Sequence, residues 1–169
     1  MTRVLEVTGV CKFYPGSPPV TALVAADLVI RASERVAVLG PSGSGKTTLL
    51  HVAGTLERPS SGSVRIGGQE VSELSDAELS AVRGRRLGFV FQQFHLLDHL
   101  DAVQNVALGL LYRGGQARAR RAAAADGTAV VVITHDPAVA AAMDRRVVMQ
   151  DGRIIADDRD EGNEGAIPR

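Results

Sequence analysis

A glycine-rich segment after a short apolar run constrains this chain more than any other feature. Gly40-Pro41-Ser42-Gly43-Ser44-Gly45-Lys46-Thr47 fits the pattern G-x-x-x-x-G-K-[ST] at every fixed position. The preceding Arg35–Leu39 predicts a strand buried on both faces, and the following Lys46–Ala53 predicts a helix. A strand, loop and helix in this order aim successive backbone N–H groups and a helix N-terminus at an anion. The segment therefore predicts a phosphate-binding loop in an α/β fold.

The residue types in this loop suit a nucleoside triphosphate. Glycines at 40, 43 and 45 allow the backbone to approach the phosphate oxygens closely. Lys46 would bridge the terminal phosphates, and the hydroxyl of Thr47 would reach Mg²⁺. The alternative is a glycine-rich turn that matches by chance, and the flanking strand and helix disfavour it.

The remaining segments predict an α/β chain with an antiparallel β part near its N-terminus and no internal repeat. Pro15–Pro19 forms a turn cluster between the first two strands. Further strands are predicted at 5–10, 23–30, 63–66, 87–91 and, buried on both faces, 129–133. Helices are predicted from a capping box at Ser75–Glu78 to Arg83, at 101–111, at 118–125, and from Asp136 as N-cap to Met143. A hairpin is predicted over 146–156.

Bulk composition limits the function classes. The 169 residues suit one domain, and 19 basic against 19 acidic residues argue against a nucleic-acid binder. The single Cys11 allows no internal disulfide, which fits a cytosolic setting. The start of the chain, with Glu6 in its apolar stretch, does not match a signal peptide, and the apolar run 129–133 is too short to span a bilayer. We expect any membrane association to come through a partner.

Several stretches together resemble the ATPases of ABC transporters. Gly40–Thr48 with Leu49-Leu50 resembles their Walker A segment. The other matching stretches are Cys11–Tyr14, the Arg58–Val64 turn, the Q-loop-like Gly88–Leu97, the switch-histidine-like Thr134–Asp136 and the Asp151–Ile154 hairpin. Gly88–Gln92 and Leu111–Gly114 are most similar to the macrolide-exporter and lipoprotein-release (MacB/LolD-like) subgroup. The resemblance covers residues 1 to about 116 and about 122 to 156.

The resemblance implies a role for each matching residue. ATP would be held by Gly40, Pro41, Ser42, Gly43, Ser44, Gly45, Lys46, Thr47 and Thr48. Tyr14 would stack on adenine, and Thr47 and Gln92 would bind Mg²⁺. His135 would contact the γ-phosphate as the catalytic switch. The alternatives are a surface aromatic for Tyr14, a solvated amide for Gln92 and a structural histidine for His135.

The family resemblance also implies a domain, an activity and partners. Residues 1–156 would form a P-loop nucleotide-binding domain that hydrolyses ATP as a homodimer and drives a membrane permease. The protein would then lie in the cytoplasm, at the inner face of the cell membrane. The acidic, Gly- and Pro-containing residues 157–169 predict a disordered tail. Asp98, Asp101 and Gln104 depart from the family's usual proline, threonine and glutamate, at positions that bear on the fit to a permease.

Two segments of the family pattern have no counterpart: the signature LSGGQ, and the Walker B strand that ends in aspartate and glutamate. The chain passes from Arg113–Gln116 through Arg121–Ala125 directly to the apolar run 129–133. Gly114-Gly115-Gln116 lacks the signature's serine, and neither Asp136 nor Asp151 follows an apolar run in the Walker B manner. We therefore expect several dozen residues to be missing near 114–126, with a truncated helical subdomain.

The missing segment leaves three interpretations open. The chain is an ABC transporter ATP-binding subunit, a nucleotide-binding product that does not hydrolyse ATP, or a compact P-loop phosphotransferase that never had the segment. Loss of a central strand would also leave a slot in the parallel sheet. The neighbouring strands would then lose backbone partners, at about 1–3 kcal/mol for each buried unsatisfied group.

Overall fold

The computed structural model describes residues 2–89 and 127–158. In chain order the elements are β1 Arg3–Tyr14, β2 Val20–Arg31, β3 Arg35–Leu39, α1 Lys46–Ala53, β4 Ser61–Ile66, β5 Gln69–Glu70, α2 Asp76–Arg86, β6 Val130–Ile133, α3 Pro137–Ala141, β7 Arg145–Gln150 and β8 Arg153–Asp157. One compact unit comprises 1–73 and 129–169, and a second comprises 74–128. None of the helices described has the length and apolar composition needed to cross a bilayer.

The N-terminal sheet of the first unit is antiparallel, as predicted. Its strand order is β2-β1-β4-β5, and β1 and β2 form a hairpin around the proline-rich turn 15–19. Apolar side chains from three of these strands, including Val10, Leu23 and Val64, are at most 1% exposed. Alternation of apolar and polar residues therefore places one face of this sheet in the core.

The second sheet carries the predicted phosphate-binding loop. Its order is β6-β3-β7-β8, with β3 parallel to both β6 and β7. Val36, Ala37 and Val38 of β3 are buried, which confirms the prediction of a strand covered on both faces. Strands β7 and β8 form the predicted antiparallel hairpin around Asp151-Gly152.

Strand β6 forms as predicted but is not buried on both faces. Among the strands described it pairs only with β3, Val130 is 40% exposed, and residues 131–133 are half-buried. The loop-bearing strand β3 has a neighbour on each side, because it hydrogen-bonds to β6 and to β7. The slot expected from a missing strand stays a prediction. Within the described sheet, β6 is an edge strand.

The described part of the second unit consists mainly of α2. The predicted capping box is confirmed: Ser75 Oγ accepts from Glu78 N at 3.4 Å, and Glu78 Oε2 accepts from Ser75 N at 2.9 Å. The Ser75 hydroxyl also donates to Glu78 Oε2 at 2.6 Å, and this bond and the one from Ser75 N lower the pKa of the Glu78 carboxyl. The helix ends at Arg86, three residues later than predicted, and its last turn is rich in arginine, which favours continued helix there.

Other predictions for the middle of the chain are only partly covered. Residues 87–89 are the described part of the strand predicted at 87–91, and they do not form a strand. Leu87 has an extended backbone (φ −121°, ψ 149°) but pairs with no described strand. Residues 90 and 91, and the helices predicted at 101–111 and 118–125, lie outside the described residues.

The C-terminal boundary predicted at 156 is too early. Asp157 is the last residue of β8, and its carboxylate accepts from Arg145, at 2.6 Å for Nε. Asp158 accepts from Arg146 Nε at 2.9 Å. Their pairing with arginines on β7 keeps these two acidic residues in the fold, and residues 159–169 lie outside the described residues.

Arg145 joins strands of both sheets. Its side chain is only 5% exposed, and Nη1 donates to the carbonyl oxygen of Val29 in β2 at 2.8 Å. Glu34 Oε1 lies 3.4 Å from the same nitrogen, while Asp157 accepts from the other side of the guanidinium. The cost of burying the Arg145 guanidinium is therefore compensated by two carboxylates and a carbonyl oxygen.

We expect Arg145→Ala to destabilise the protein by about 3–5 kcal/mol, because Glu34 and Asp157 would lose their buried cation. The matched control is Arg35→Ala, since Arg35 pairs with Asp144 at 2.6 Å but is 55% exposed; we expect it to cost less than about 1 kcal/mol. Urea unfolding followed by circular dichroism measures both. Equal losses would contradict a special role for the buried arginine.

Candidate nucleotide-binding site

The predicted phosphate-binding loop connects β3 to α1 at the carboxyl edge of the parallel strands. Gly40, Gly43 and Gly45 all have positive φ, at 143°, 79° and 95°. A Cβ at Gly40 would lie 2.1 Å from the carbonyl oxygen of Met149, and one at Gly45 would lie 2.3 Å from that of Ala22. No atom lies within 4 Å of a Cβ built at Gly43. Two glycines thus permit close packing, and Gly43 faces open space.

Lys46 spans the loop from the first position of α1. Its side chain is buried, and Nζ donates to the carbonyl oxygens of Gly40 at 2.9 Å and Pro41 at 2.7 Å. The hydroxyl of Ser44 lies 3.4 Å from the same nitrogen. The loop therefore curves around the amino group of Lys46, which hydrogen-bonds its carbonyl oxygens. Phosphate oxygens could replace these carbonyl partners.

The next two residues of α1 point to different surroundings. Thr47 is exposed in the first turn, where its hydroxyl is available to a ligand at the helix N-terminus. Thr48 is half-buried, and its side chain lies near the hydroxyl of Tyr14 at the end of β1. Tyr14 is itself half-buried, so the predicted adenine-stacking ring lies beside the first turns of the loop's helix.

The β7–β8 turn supports the loop from the opposite side. Gly152 N donates to the carbonyl oxygen of Ser44 at 3.1 Å, and Gly152 O accepts from Val24 N at 2.8 Å. Gly152 has φ 77°, and a Cβ there would lie 3.0 Å from the carbonyl oxygen of Ala22. The sequence predicted this turn only as a hairpin, because its hydrogen bond to the loop joins residues that lie far apart in the sequence.

His135 lies at the same edge of the sheet as the loop. In the parallel register of β3 and β6, Val38 pairs with Ile133, so His135 is level with Gly40 two residues further on. The side chain of His135 is exposed. Because parallel strands present their carboxyl ends together, this placement suits a group that senses a bound phosphate.

Asp136 is occupied with the start of its own helix. Its Oδ1 accepts from Ala138 N at 2.8 Å, and Pro137 takes the first helical position. This confirms the predicted N-cap, although α3 ends at Ala141 rather than Met143. The arrangement agrees with the interpretation that Asp136 is not a Walker B aspartate.

Only one of the two predicted Mg²⁺ ligands lies within the described residues. Thr47 is exposed at the helix N-terminus, whereas Gln92 lies outside the described residues. Within residues 2–89 and 127–158, no group of three or more histidine, cysteine, aspartate or glutamate side chains could hold a metal ion. The predicted site residues that the structure describes are therefore the phosphate loop, Thr47, Tyr14 and His135.

Comparison with known proteins gives consistent similarities. A family model described as "ABC transporter" matches residues 23–157. The lipoprotein-releasing system ATP-binding protein LolD of Chromohalobacter salexigens is 51% identical over 122 residues, covering 69% of this chain and 52% of that protein. A solved structure of the ATP-binding cassette MJ0796, a post-hydrolysis dimer bound to ADP and Pi, aligns with TM-score 0.75 and 28% identity, covering 90% of this chain and 97% of that one.

Alignment length adds a further observation. The macrolide export ATP-binding/permease protein MacB of Hahella chejuensis is 35% identical over 211 aligned positions, covering 86% of this chain and 32% of that protein. Since 86% of 169 residues is about 145, about 66 positions of the relative lie opposite gaps in this chain. The chain spans about half the length of LolD and about a third of MacB.

We expect Gly152→Ala to weaken phosphate binding by about 2–10-fold, because displacing the turn loosens its hydrogen bond to Ser44 O. The measurement is calorimetric titration with inorganic tripolyphosphate. Gly68→Ala is the matched control, since Gly68 also has a positive φ, at 79°, but its Cβ would meet nothing within 4 Å. Similar affinity in the two variants would show that the turn does not support the loop.

Proposed function

The chain belongs to the ABC transporter family, and on that premise we propose that it is the ATP-binding subunit of an ABC transporter. The observation that carries the proposal is the loop between β3 and α1. Its glycines have positive φ, and its lysine already gathers the loop's carbonyl oxygens around one amino group. This architecture presents donors to a triphosphate and leaves Gly43 open to it.

Each residue of the site has a defined task in this proposal. Lys46 would exchange its contacts with Gly40 and Pro41 for phosphate oxygens, while the backbone N–H groups at the start of α1 bind the same anion. Tyr14 would stack on adenine, and His135 would meet the terminal phosphate from the end of β6. A bound Mg²⁺ would neutralise phosphate charge, and Thr47 and Gln92 would hold it.

The proposed partners follow from the relatives. One relative is named as the ATP-binding protein of a lipoprotein-releasing system, another as an ATP-binding/permease protein, and the MJ0796 cassette forms a dimer. We therefore propose that this chain docks on a membrane permease at the cytoplasmic face of the membrane. A second copy of the chain would complete the nucleotide site.

We expect Lys46→Ala to weaken binding of MgATP by about 10–100-fold, because a charged hydrogen-bond donor to phosphate is worth about 1.5–3 kcal/mol. Calorimetric titration with MgATP measures the affinity, and thermal melting reports whether the variant is folded. The control is Arg65→Ala, which removes an exposed cation from β4. Unchanged affinity in a folded Lys46→Ala protein would refute the proposed site.

A second candidate function is binding of ATP without hydrolysis. Three observations favour it. The sequence has no Walker B or signature segment, and about 66 positions of the Hahella relative have no counterpart here. At the end of β6, the described acidic residue caps α3. Phosphoryl transfer needs a positioned metal and water, which those segments supply in the family. No observation favours the phosphotransferase alternative.

The two candidates differ in turnover. If the chain only binds ATP, phosphate release from MgATP should equal that of Lys46→Ala, although the wild-type protein binds the nucleotide. The measurement is a phosphate-release assay at saturating MgATP, with affinity checked by calorimetry in the same buffer. Release above the Lys46→Ala background would establish hydrolysis and reject the binding-only candidate.

A further inference from the structure

A polar cluster surrounds the hydroxyl of Tyr14, and the carboxylate of Glu57 is its centre. Glu57 Oε2 accepts from Tyr14 Oη at 2.7 Å and lies 3.3 Å from Lys12 Nζ. Its other oxygen lies 3.2 Å from Nδ1 of His51. The backbone N–H of Glu57 also donates to the carbonyl oxygen of His51 at 3.2 Å, which fixes Glu57 to the C-terminal end of α1.

The ring of Tyr14 is held from two further directions. Lys12 Nζ lies 5.1 Å from the ring centroid, over one face, and donates to the carbonyl oxygen of Arg58 at 2.9 Å. Its side chain is only 16% exposed, so this cation is anchored rather than solvated. With Lys12 over one face, a flat aromatic ligand has only the other face of the ring on which to stack.

At neutral pH the protonation states of Glu57 and Tyr14 favour the hydrogen bond between them. The hydrogen bond from Tyr14 lowers the pKa of the Glu57 carboxyl, so it is ionised there. Burial and the bond to Glu57 raise the pKa of the Tyr14 hydroxyl, so it keeps the proton that it donates. Because the carboxyl pKa is lowered, the contribution of Glu57 to stability is present at neutral pH and lost as pH falls through that lowered value.

We propose that Glu57 is the positioning residue for base recognition: through the hydroxyl of Tyr14 and the amino group of Lys12 it fixes the ring against which a nucleobase stacks. The inference rests on the proposed function and extends it from the phosphates to the base. Helix α1 connects the two parts of the site, since Lys46 begins it and Glu57 is bonded to its last turn. Glu57 thus orients the ring of Tyr14 from the C-terminal end of α1, while the phosphate loop lies at the N-terminal end of the same helix.

A purely structural role predicts a different result. If Glu57 only closed the turn after α1, its loss would disturb the helix and weaken binding of the whole ligand. If it positions Tyr14, its loss affects the base and leaves the phosphates bound. Inorganic tripolyphosphate, which has no base, separates the two roles.

The test is calorimetric titration of Glu57→Ala, Tyr14→Phe and the double variant with MgATP and with magnesium tripolyphosphate. Glu57→Ala should weaken MgATP binding by about 3–10-fold and change tripolyphosphate affinity by less than about twofold. Tyr14→Phe keeps the ring but loses its hydroxyl, and should behave the same way. MgATP affinity of the double variant should lie within about twofold of the weaker single variant, because each single substitution already removes the Tyr14–Glu57 hydrogen bond. Glu57→Gln keeps the packing and should weaken MgATP binding in the same direction.

Matched controls make the outcomes distinct. Glu70 is a similar half-buried carboxylate that accepts from Ser72 N at 3.1 Å and pairs with Arg65, so Glu70→Gln should bind both ligands as the wild type does. The positioning role would be overturned if Glu57→Ala and Glu57→Gln weakened the affinity for MgATP and for tripolyphosphate equally. Unchanged MgATP affinity in both variants would also overturn it. So would full additivity of the two free-energy losses in the double variant. Failure of the wild-type protein to bind either ligand would instead overturn the proposed function itself, and the positioning role with it.

Discussion

The structure depends on a close approach of three backbone segments at the phosphate loop. Gly40 packs where a Cβ would collide with the carbonyl of Met149 in β7, and Gly45 packs where it would collide with that of Ala22 in β2. Since β2 and β7 belong to different sheets, the loop lies where the two sheets meet. The glycines therefore allow the sheets to close around the loop, and in the proposed function they also let phosphate approach the backbone.

Elements specified by neighbouring residues were predictable from the sequence. The bounds of β3 and α1 follow from an apolar run that stops at a glycine, and the start of α2 follows from Ser75 and Glu78. Two predictions that depended on distant pairing were wrong. The apolar run of β6 reads like that of β3, but only the strand order shows that β6 has one described neighbour. Asp157 reads as the start of an acidic tail, but it pairs with Arg145.

The candidate site shows the same division. A local motif predicted the phosphate loop, and matching segments predicted roles for Tyr14 and His135. Sequence reasoning did not single out Glu57 or Gly152, because the partners that suggest their roles lie far along the chain, such as Tyr14, 43 residues from Glu57. Only the fold brings those partners together, so no local signal in the sequence could have found them.

Binding and turnover rest on different parts of this fold. The loop is held by β3, α1, the β7–β8 turn and β2, all of which the structure describes, and its hydrogen bonds do not involve the open edge of β6. Catalysis needs a carboxylate, a metal and a water beyond what those elements carry. A chain can therefore lose a segment without opening a gap beside β3, because that strand keeps both neighbours. The phosphate loop then retains the packing it needs to bind a nucleotide, whether or not the chemistry of hydrolysis remains.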